Sequence, residues 1–470
     1  MYPFESLNLP HPPLFDSQTA MKTPNVKLDQ WHQFLATNPK VEFVWLQVLS
    51  YSSRPYVRIV PTARFTEILQ SRKYVSVPTA AFSFDPEDHL VEGSSPCGTF
   101  YLCPDLDTIY CQPGSEGTRA VVQCNCVDED DTPIDECARS RLQMLDELVQ
   151  REAGLTALVG FEVELVLMKA ESQPNGTVQY RPLSDVHNWS CVTLEDIKIL
   201  GVLESISRAL VEADVQIEQF HAECAPAQWE FVLPPAPPVQ SIDMLLRARE
   251  TIRTIAFSHG LHATLYPRPS PDHAGTGAHV HISLNGPGEE DRLAANRVEP
   301  FFAGLVQHMP AILAFALPME QSYDRLKAGI WSGGEYACWG WENKETPLRR
   351  VKDTRFEFKL MDGLANPFLS LAAIFAAGLE GLRSGTALQG GPCPQAAADL
   401  SHEERRKLGV HVLLPRTLQE SLTALEGDAC LCDALSKQVV TTYGGLKRGE
   451  AKWFGRMEPE QQMAWLISRY

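Results

Sequence analysis

Four short segments carry the residues most able to do chemistry: VGFEVELVLM (159–168), PAQWEFVLP (226–234), GAHVHISL (277–284) and TRFEFKLM (354–361). Each alternates apolar and polar residues with the period of a β-strand, so residues two apart share a face. One parity is apolar, as in Phe161, Val163 and Leu165, or Trp229, Phe231 and Leu233. The other carries Glu162 and Glu164; Gln228 and Glu230; His279, His281 and Ser283; and Arg355, Glu357 and Lys359. Any one of these faces alone would read as an ordinary wet strand surface. Together they are unusual, because carboxylates converging within ~4 Å repel by about 4 kcal/mol per pair at an effective dielectric near 20. If the strands are neighbours, something cationic must sit between them. A pocket of oxygen ligands with one imidazole suits Mg²⁺ or Mn²⁺ better than zinc. The interleaved Arg349, Lys352, Arg355 and Lys359 suit a polyphosphate beside the metals.

These strands need a scaffold, and the chain is long enough to supply one. It has 470 residues, 44% hydrophobic and 21% charged, with 41 basic against 59 acidic side chains and a net charge of −18. Such a chain buries ample core, and its acidity argues against a nucleic-acid or anionic-membrane partner. The N-terminal MYPFESLNLPHPPLF lacks a basic region followed by an apolar run and does not read as a secretory signal. The apolar tract from Phe301 to Met319 is interrupted by Gln307, His308, Pro310 and Pro318, and is expected to be a buried helix. Twelve cysteines with no CxxC read as reduced, mostly buried thiols of a cytoplasmic protein.

Along the chain, residues 1–40 are proline-rich, holding Pro3, Pro10, Pro12, Pro13 and Pro24, and read as an arm with one helix near Asp29 to Ala36. Residues 41–135 form a small β-rich domain of short runs such as VEFVWLQVLSY, TFYLCP and RAVVQCNCV. From 136 to 470 strands alternate with helices, including one beginning near Ile134 and ending at Gly154, one over Leu194 to Ala213 and one over Ser241 to His259. There is no internal repeat, GxxxxGKS loop or GxGxxG after a strand.

The motifs GFEVEL (160–165), HAECAPAQWEF (221–231), HGLHATLYPRP (259–269), GTGAHVHISLNG (275–286), SYDRL (322–326) and RFEFKLMDGLANPFLSLAAIFAAGLEGL (355–382) occur in one order along the chain. In them the chain resembles the glutamine synthetase family, with weaker echoes in PDLDT (104–108) and WLISRY (465–470). ECAPAQWEF and GIWSGGEYACWGWEN (329–343) most resemble the glutamine-synthetase-like domains of fungal developmental regulators. The resemblance implies an α+β fold: an N-terminal β-grasp domain and a catalytic domain whose antiparallel sheet forms an open half barrel with flanking helices. It also implies a ring homo-oligomer with active sites between subunits.

Carried over position by position, the resemblance assigns Glu164, Glu223 and Glu230 to one metal and Glu162, His279 and Glu357 to a second, with two to three Mg²⁺ or Mn²⁺ ions per site. It places ATP against His281, Ser283, Lys352, Arg355 and Lys344, and the transferred phosphate on Arg349. It places the acid substrate against Arg325, Gly275, Ala274 and Lys359. The implied reaction is ATP-dependent ligation of a carboxylate to ammonia or an organic amine through an acyl phosphate, with glutamate giving glutamine or a γ-glutamylamide. The other reading is a catalytically silent ring protein with a regulatory or scaffold role.

The departures from the family pattern gather on the acceptor side. Trp331 stands where a flap glutamate binds ammonium, with Glu335 four residues on as a substitute if the loop is rearranged. Ala274 replaces an asparagine, and Lys344 and Lys359 replace arginines, keeping charge but losing the bidentate fork. An N-terminal aspartate of the ammonium site has no clear counterpart, Asp85 being a guess. Trp331 could cover an apolar amine, hold a cation over its ring, or pack in a core.

Overall fold

A computed structural model describes residues 24–92, 94–174, 176–185, 189–286 and 294–470. The prolines at 3, 10, 12 and 13 lie outside the described residues. The helix expected near Asp29 to Ala36 spans Pro24–Thr37. It is no loose arm. Trp31 is fully buried edge-on to Phe65 at 4.7 Å and donates from Nε1 to Thr66 Oγ1 at 2.9 Å.

The first sheet contains β1 (Phe43–Leu49), β2 (Pro55–Pro61), β3 (Val75–Pro78), β4 (Thr99–Pro104), β5 (Tyr110–Cys111) and β6 (Arg119–Val127). Its order is β2-β1-β6-β4-β3, with β5 beside β6. Only β1 and β6 run parallel. The following helix spans Ala138–Ala153 and is capped by Gly154 at φ 65°. It starts four residues later than the sequence suggests, because Ile134 to Cys137 form a turn closed by Cys137 N–H on Ile134 O.

The second sheet holds the site. Its strands are β7 (Thr156–Ser172), β8 (Val178–Pro182), β9 (Gln219–Ala222), β10 (Gln228–Val232), β11 (His262–Thr264), β12 (Val280–Asn285), β13 (Trp339–Trp341), β14 (Leu348–Lys352) and β15 (Arg355–Phe358). The order is β13-β14-β15-β12-β7-β10-β9, with β8 and β11 also on β7. All pairs are antiparallel except β13–β14, which is parallel. The four segments singled out by their alternation are therefore four consecutive strands.

Their apolar parity is buried beneath helices. Helix Pro367–Ser384 begins with Asn366 accepting from the N–H groups of Phe368 and Leu369, with proline at its first position. It crosses helix Ala294–Ala316 at Gly304 and Gly381, where a Cβ would lie 2.0 Å from Ala377 O and Pro300 O respectively. Only glycine permits that approach. The tract from Phe301 onward is a core helix as expected, with Phe301, Phe302, Leu305, Ile312 and Phe315 fully buried or nearly so. All twelve cysteines are free thiols.

The turn between β1 and β2 is tied to the start of helix Pro367–Ser384 and to the turn before helix Ala138–Ala153 by specific bonds. Asn366 Nδ2 donates to Ser50 O at 2.8 Å, Ser53 Oγ donates to Ala365 O at 2.8 Å, and Tyr51 O–H donates to Glu136 O at 3.1 Å.

Candidate metal and substrate site

Strand register assembles the site. On β7 and β10, Glu164 pairs with Glu230, and on β12 and β15, His281 pairs with Glu357 and Ser283 with Arg355. Directly opposed residues of an antiparallel pair project from the same face. The result is one continuous charged surface across β15, β12, β7 and β10.

His279 is its centre. Its Nδ1 lies 2.9 Å from Glu162 Oε2, 3.3 Å from Glu164 Oε1 and 3.4 Å from Glu357 Oε1. His281 Nε2 lies 2.9 Å from Glu162 Oε1. At the other end His221, on β9, places Nε2 3.2 Å from Glu230 Oε1 and Nδ1 3.8 Å from Glu223 Oε1. Donor atoms of Glu162, Glu164, Glu230 and His279 lie within 4.8 Å of one another, as do those of Glu162, His281 and Glu357, and of His221, Glu223 and Glu230. All six expected metal positions thus fall into one overlapping cluster.

Its electrostatics show the crowding. Burial pushes the Glu230 carboxyl up to about 7, helped by Glu162, Glu164 and Glu223 and opposed by His221. Burial and then Glu164 raise Glu223. The hydrogen bond to Glu230 lifts His221 to about 9 against its own partial burial. Burial opposes the charged form of Glu162, yet bonds from His279 and His281 hold it well below the usual carboxylate range. Burial likewise opposes ionisation of Glu357, but Lys359 and His279 draw it down to about 2. The imidazoles occupy the places where positive charge is required.

Neighbouring groups lock the ligands. Gln228, nearly fully buried, donates from Nε2 to Glu164 Oε2 at 2.9 Å and to Gly275 O at 3.1 Å, and Gly277 N–H donates to Glu164 Oε2 at 2.8 Å. A Cβ on Gly277 would lie 2.5 Å from His279 Nε2 and 3.0 Å from Arg325 Nη2, so glycine is required by close packing. Gln228 shares the polar parity of Glu230, so alternation marked its face, whereas His221 lies outside the alternating segments, which assign it no role. Nothing in the sequence pointed to Trp189, whose Nε1 donates to Glu223 Oε1 at 3.1 Å.

The basic residues divide. Arg349 donates to Glu357 Oε2 at 2.9 Å and pairs also with Glu342, and Lys359 Nζ donates to Glu357 Oε1 at 3.0 Å. Arg355 stands opposite both Ser283 and Lys352. Arg325 is 1% exposed and packs against Gly275, but it donates to the carbonyls of Lys359, Leu360 and Met361. Ala274 is half-buried in the adjoining loop. Lys344 does not join Arg349; its Nζ sits 4.8 Å from the Trp189 ring centre and 5.5 Å from that of Trp331.

Trp331 packs in no core. It is 50% exposed, at φ 58°, with its N–H donating to Glu345 Oε1 at 2.7 Å. Glu335 is drawn into an ion pair with Arg416 at 2.7 Å, and no bond among the described residues ties it to the carboxylate cluster. Asp85 accepts from the N–H groups of Glu87 and His89 and so closes its own turn.

Residues 135–466 match the family model for the glutamine synthetase catalytic domain. Over 94% of this chain the sequence is 39% identical to the protein fluG of Emericella nidulans, of which it covers 50%, so the chain spans about half the length of that relative. It is 29% identical to the gamma-glutamylpolyamine synthetase GlnA3 of Streptomyces coelicolor, over 84% of this chain and 86% of that one. The fold is similar to that of the GmaS/ADP complex, with a TM-score of 0.76 at 21% identity over 92% of this chain and 98% of that one. With its catalytic-domain motifs matched over residues 135–466 and its acidic strands side by side in one sheet, the chain belongs to the glutamine synthetase family.

Proposed function

We propose that this chain is an ATP-dependent carboxylate–amine ligase that activates an acid, glutamate through its γ-carboxyl, as an acyl phosphate and transfers it to an amine. The observation that carries this reading is the convergence of Glu162, Glu164, Glu223, Glu230, Glu357 and His279 in one cluster. The donor set fits hard divalent cations: Glu164, Glu223 and Glu230 would hold one Mg²⁺ or Mn²⁺, and Glu162, His279 and Glu357 a second. When bound, such ions supply Lewis-acid neutralisation of phosphate charge. On the protein's side, His281, Ser283 and Arg355 share a face suited to a nucleotide, and Arg349 already reaches Glu357 from the phosphate side. Arg325, beside Gly275, is the cation for the acid's carboxylate once its carbonyl partners are exchanged for it.

For the acceptor we favour an organic amine. Trp189 and Trp331, both about half exposed, flank the Lys344 ammonium beside Glu223, an arrangement that suits a second amine. The similarity to a relative named for γ-glutamylpolyamine synthesis points the same way.

The rest of the reading follows the family. The first sheet is a β-grasp domain over 41–135 preceded by the 1–40 segment, and the second is the open half barrel of a catalytic domain over 136–470. The chain acts as a cytoplasmic ring homo-oligomer on small molecules, with no nucleic-acid or membrane partner.

Two observations favour a silent scaffold as the second reading: Glu335 is held by Arg416, and Arg325 spends its donors on backbone carbonyls. Phosphate release with ATP, Mg²⁺ and glutamate, run against ammonia, hydroxylamine and a panel of amines, separates the two. Turnover that is lost in Glu164→Ala supports the ligase. A ring that assembles but turns over none of these acceptors supports the scaffold.

A further inference from the structure

A cavity with a largely apolar lining and a few charged groups lies apart from the carboxylate cluster, between the first sheet and helix Pro238–Ser258. It has a volume of about 50 Å³ and is lined by Gln47 and Ser53 on one side, Arg249, Glu250 and Arg253 on the helix side, and Gly363. That is room for about three or four waters, or for one small anion.

The guanidinium groups around it are not equally met. Arg249 is 7% exposed, and its Nε and Nη2 are buried without a hydrogen-bond partner. Glu250 is already engaged: Tyr110 O–H donates to its Oε2 at 2.9 Å, and Gln47 bonds it from the first sheet. The other carboxylate is Asp362, fully buried with Oδ2 unpartnered, and it acts on both Arg325 and Arg249. Arg253 thus faces Glu250, and Arg325 faces Glu164 as well as Asp362, whereas Arg249 feels Asp362 alone and has no hydrogen bond at Nε or Nη2. Burial, against the pull of Asp362 and with added repulsion from Arg253, brings the Arg249 guanidinium down to about 10. Burying guanidinium N–H groups with no acceptor is costly.

We propose that this cavity is a binding site for a small oxyanion, a phosphate or a carboxylate, held by Arg249 and Arg253 at the junction of the two sheets. The flat fork of Arg249, with two free N–H positions, matches two oxygens of such a group. The site is separate from the phosphate side of the carboxylate cluster, which is served by Arg349 and Arg355. Asp362 links the two, acting on both Arg249 and Arg325.

The test is calorimetric titration and thermal melting of the full chain without nucleotide or divalent metal. Inorganic phosphate and acetate serve as separate probes at an ionic strength fixed with sodium chloride. We expect one probe or both to bind and raise the melting temperature. Binding should weaken about tenfold or more in Arg249→Met and in Arg253→Met, while Arg349→Gln retains it. Arg253 is less buried than Arg249, so Arg253→Met carries the test if Arg249→Met does not fold. Silence of the unaltered chain toward both probes overturns the proposal and leaves a water-filled cavity. Binding that survives both substitutions, or that disappears in Arg349→Gln, overturns it as well and assigns the anion to the carboxylate-cluster site.

Discussion

Glu164 and Glu230 stand directly opposite each other on paired antiparallel strands, and Glu162 and Glu223 press further charge on Glu230. Opposed like charges destabilise a sheet. Their persistence here makes sense as a site strained in the absence of cations. Replacing Glu230 by Gln should therefore stabilise the metal-free protein by about 1 kcal/mol while abolishing the rise in melting temperature caused by Mn²⁺. Thermal melts with chelator and with Mn²⁺ provide the check, and a less stable metal-free variant would count against the strained-site account.

Gln228 is the brace of the same pair. It donates to Glu164 and Gly275 and accepts from Ala225 N–H at 2.8 Å. Gln228→Leu keeps bulk but leaves these groups unmet, and should cost about 1–3 kcal/mol in urea unfolding. A loss under about 0.5 kcal/mol would show that the brace is dispensable.

Gly277→Ala probes the cradle. The added methyl must displace His279 or Arg325. Mn²⁺ affinity measured by titration should fall about tenfold or more, in the range seen when a ligand loses its support. Unchanged affinity would remove His279 from the metal assignment.

Trp331 separates acceptor choice from stability. Being half exposed, it should tolerate Trp331→Ala within about 0.5 kcal/mol. The KM for cationic organic amines should rise about tenfold, the worth of a lost cation–π contact, with that for ammonia little changed. Equal effects on both acceptors would argue against a role in amine selection.

Asp146 offers a pH test away from the site. Burial, with Glu147 adding repulsion, raises its carboxyl to about 6. The folded value lies above the unfolded one, so the associated stability is present below about pH 4 and is lost as pH rises through 6. Asp146→Asn should thus gain roughly 1–2 kcal/mol at pH 8, after allowance for solvent screening of a partly exposed side chain, and almost nothing at pH 4. Urea unfolding at the two pH values checks the sign.

Alternation alone marked the site strands, because a strand with one buried face must repeat every two residues. It identified Glu162, Glu164, Glu230, His279 and Glu357 before any contact was known, and the register then made them neighbours. Alternation cannot say which strands pair or what fills the gaps between them. Trp189 and the Arg416 partner of Glu335 come from loops and lie 34 and 81 residues from the groups they touch, beyond the reach of any local pattern.

The amino-acid order therefore determined which faces are charged, the metal-type chemistry those faces suit, and the family. The tertiary structure decided that Arg325 turns to backbone carbonyls, that Lys344 lies between two indoles, and that Arg249 Nε and Nη2 are buried without a hydrogen bond. The reason is physical: periodicity is a short-range property of the backbone, whereas the partner of a long side chain is set by packing between segments far apart in sequence.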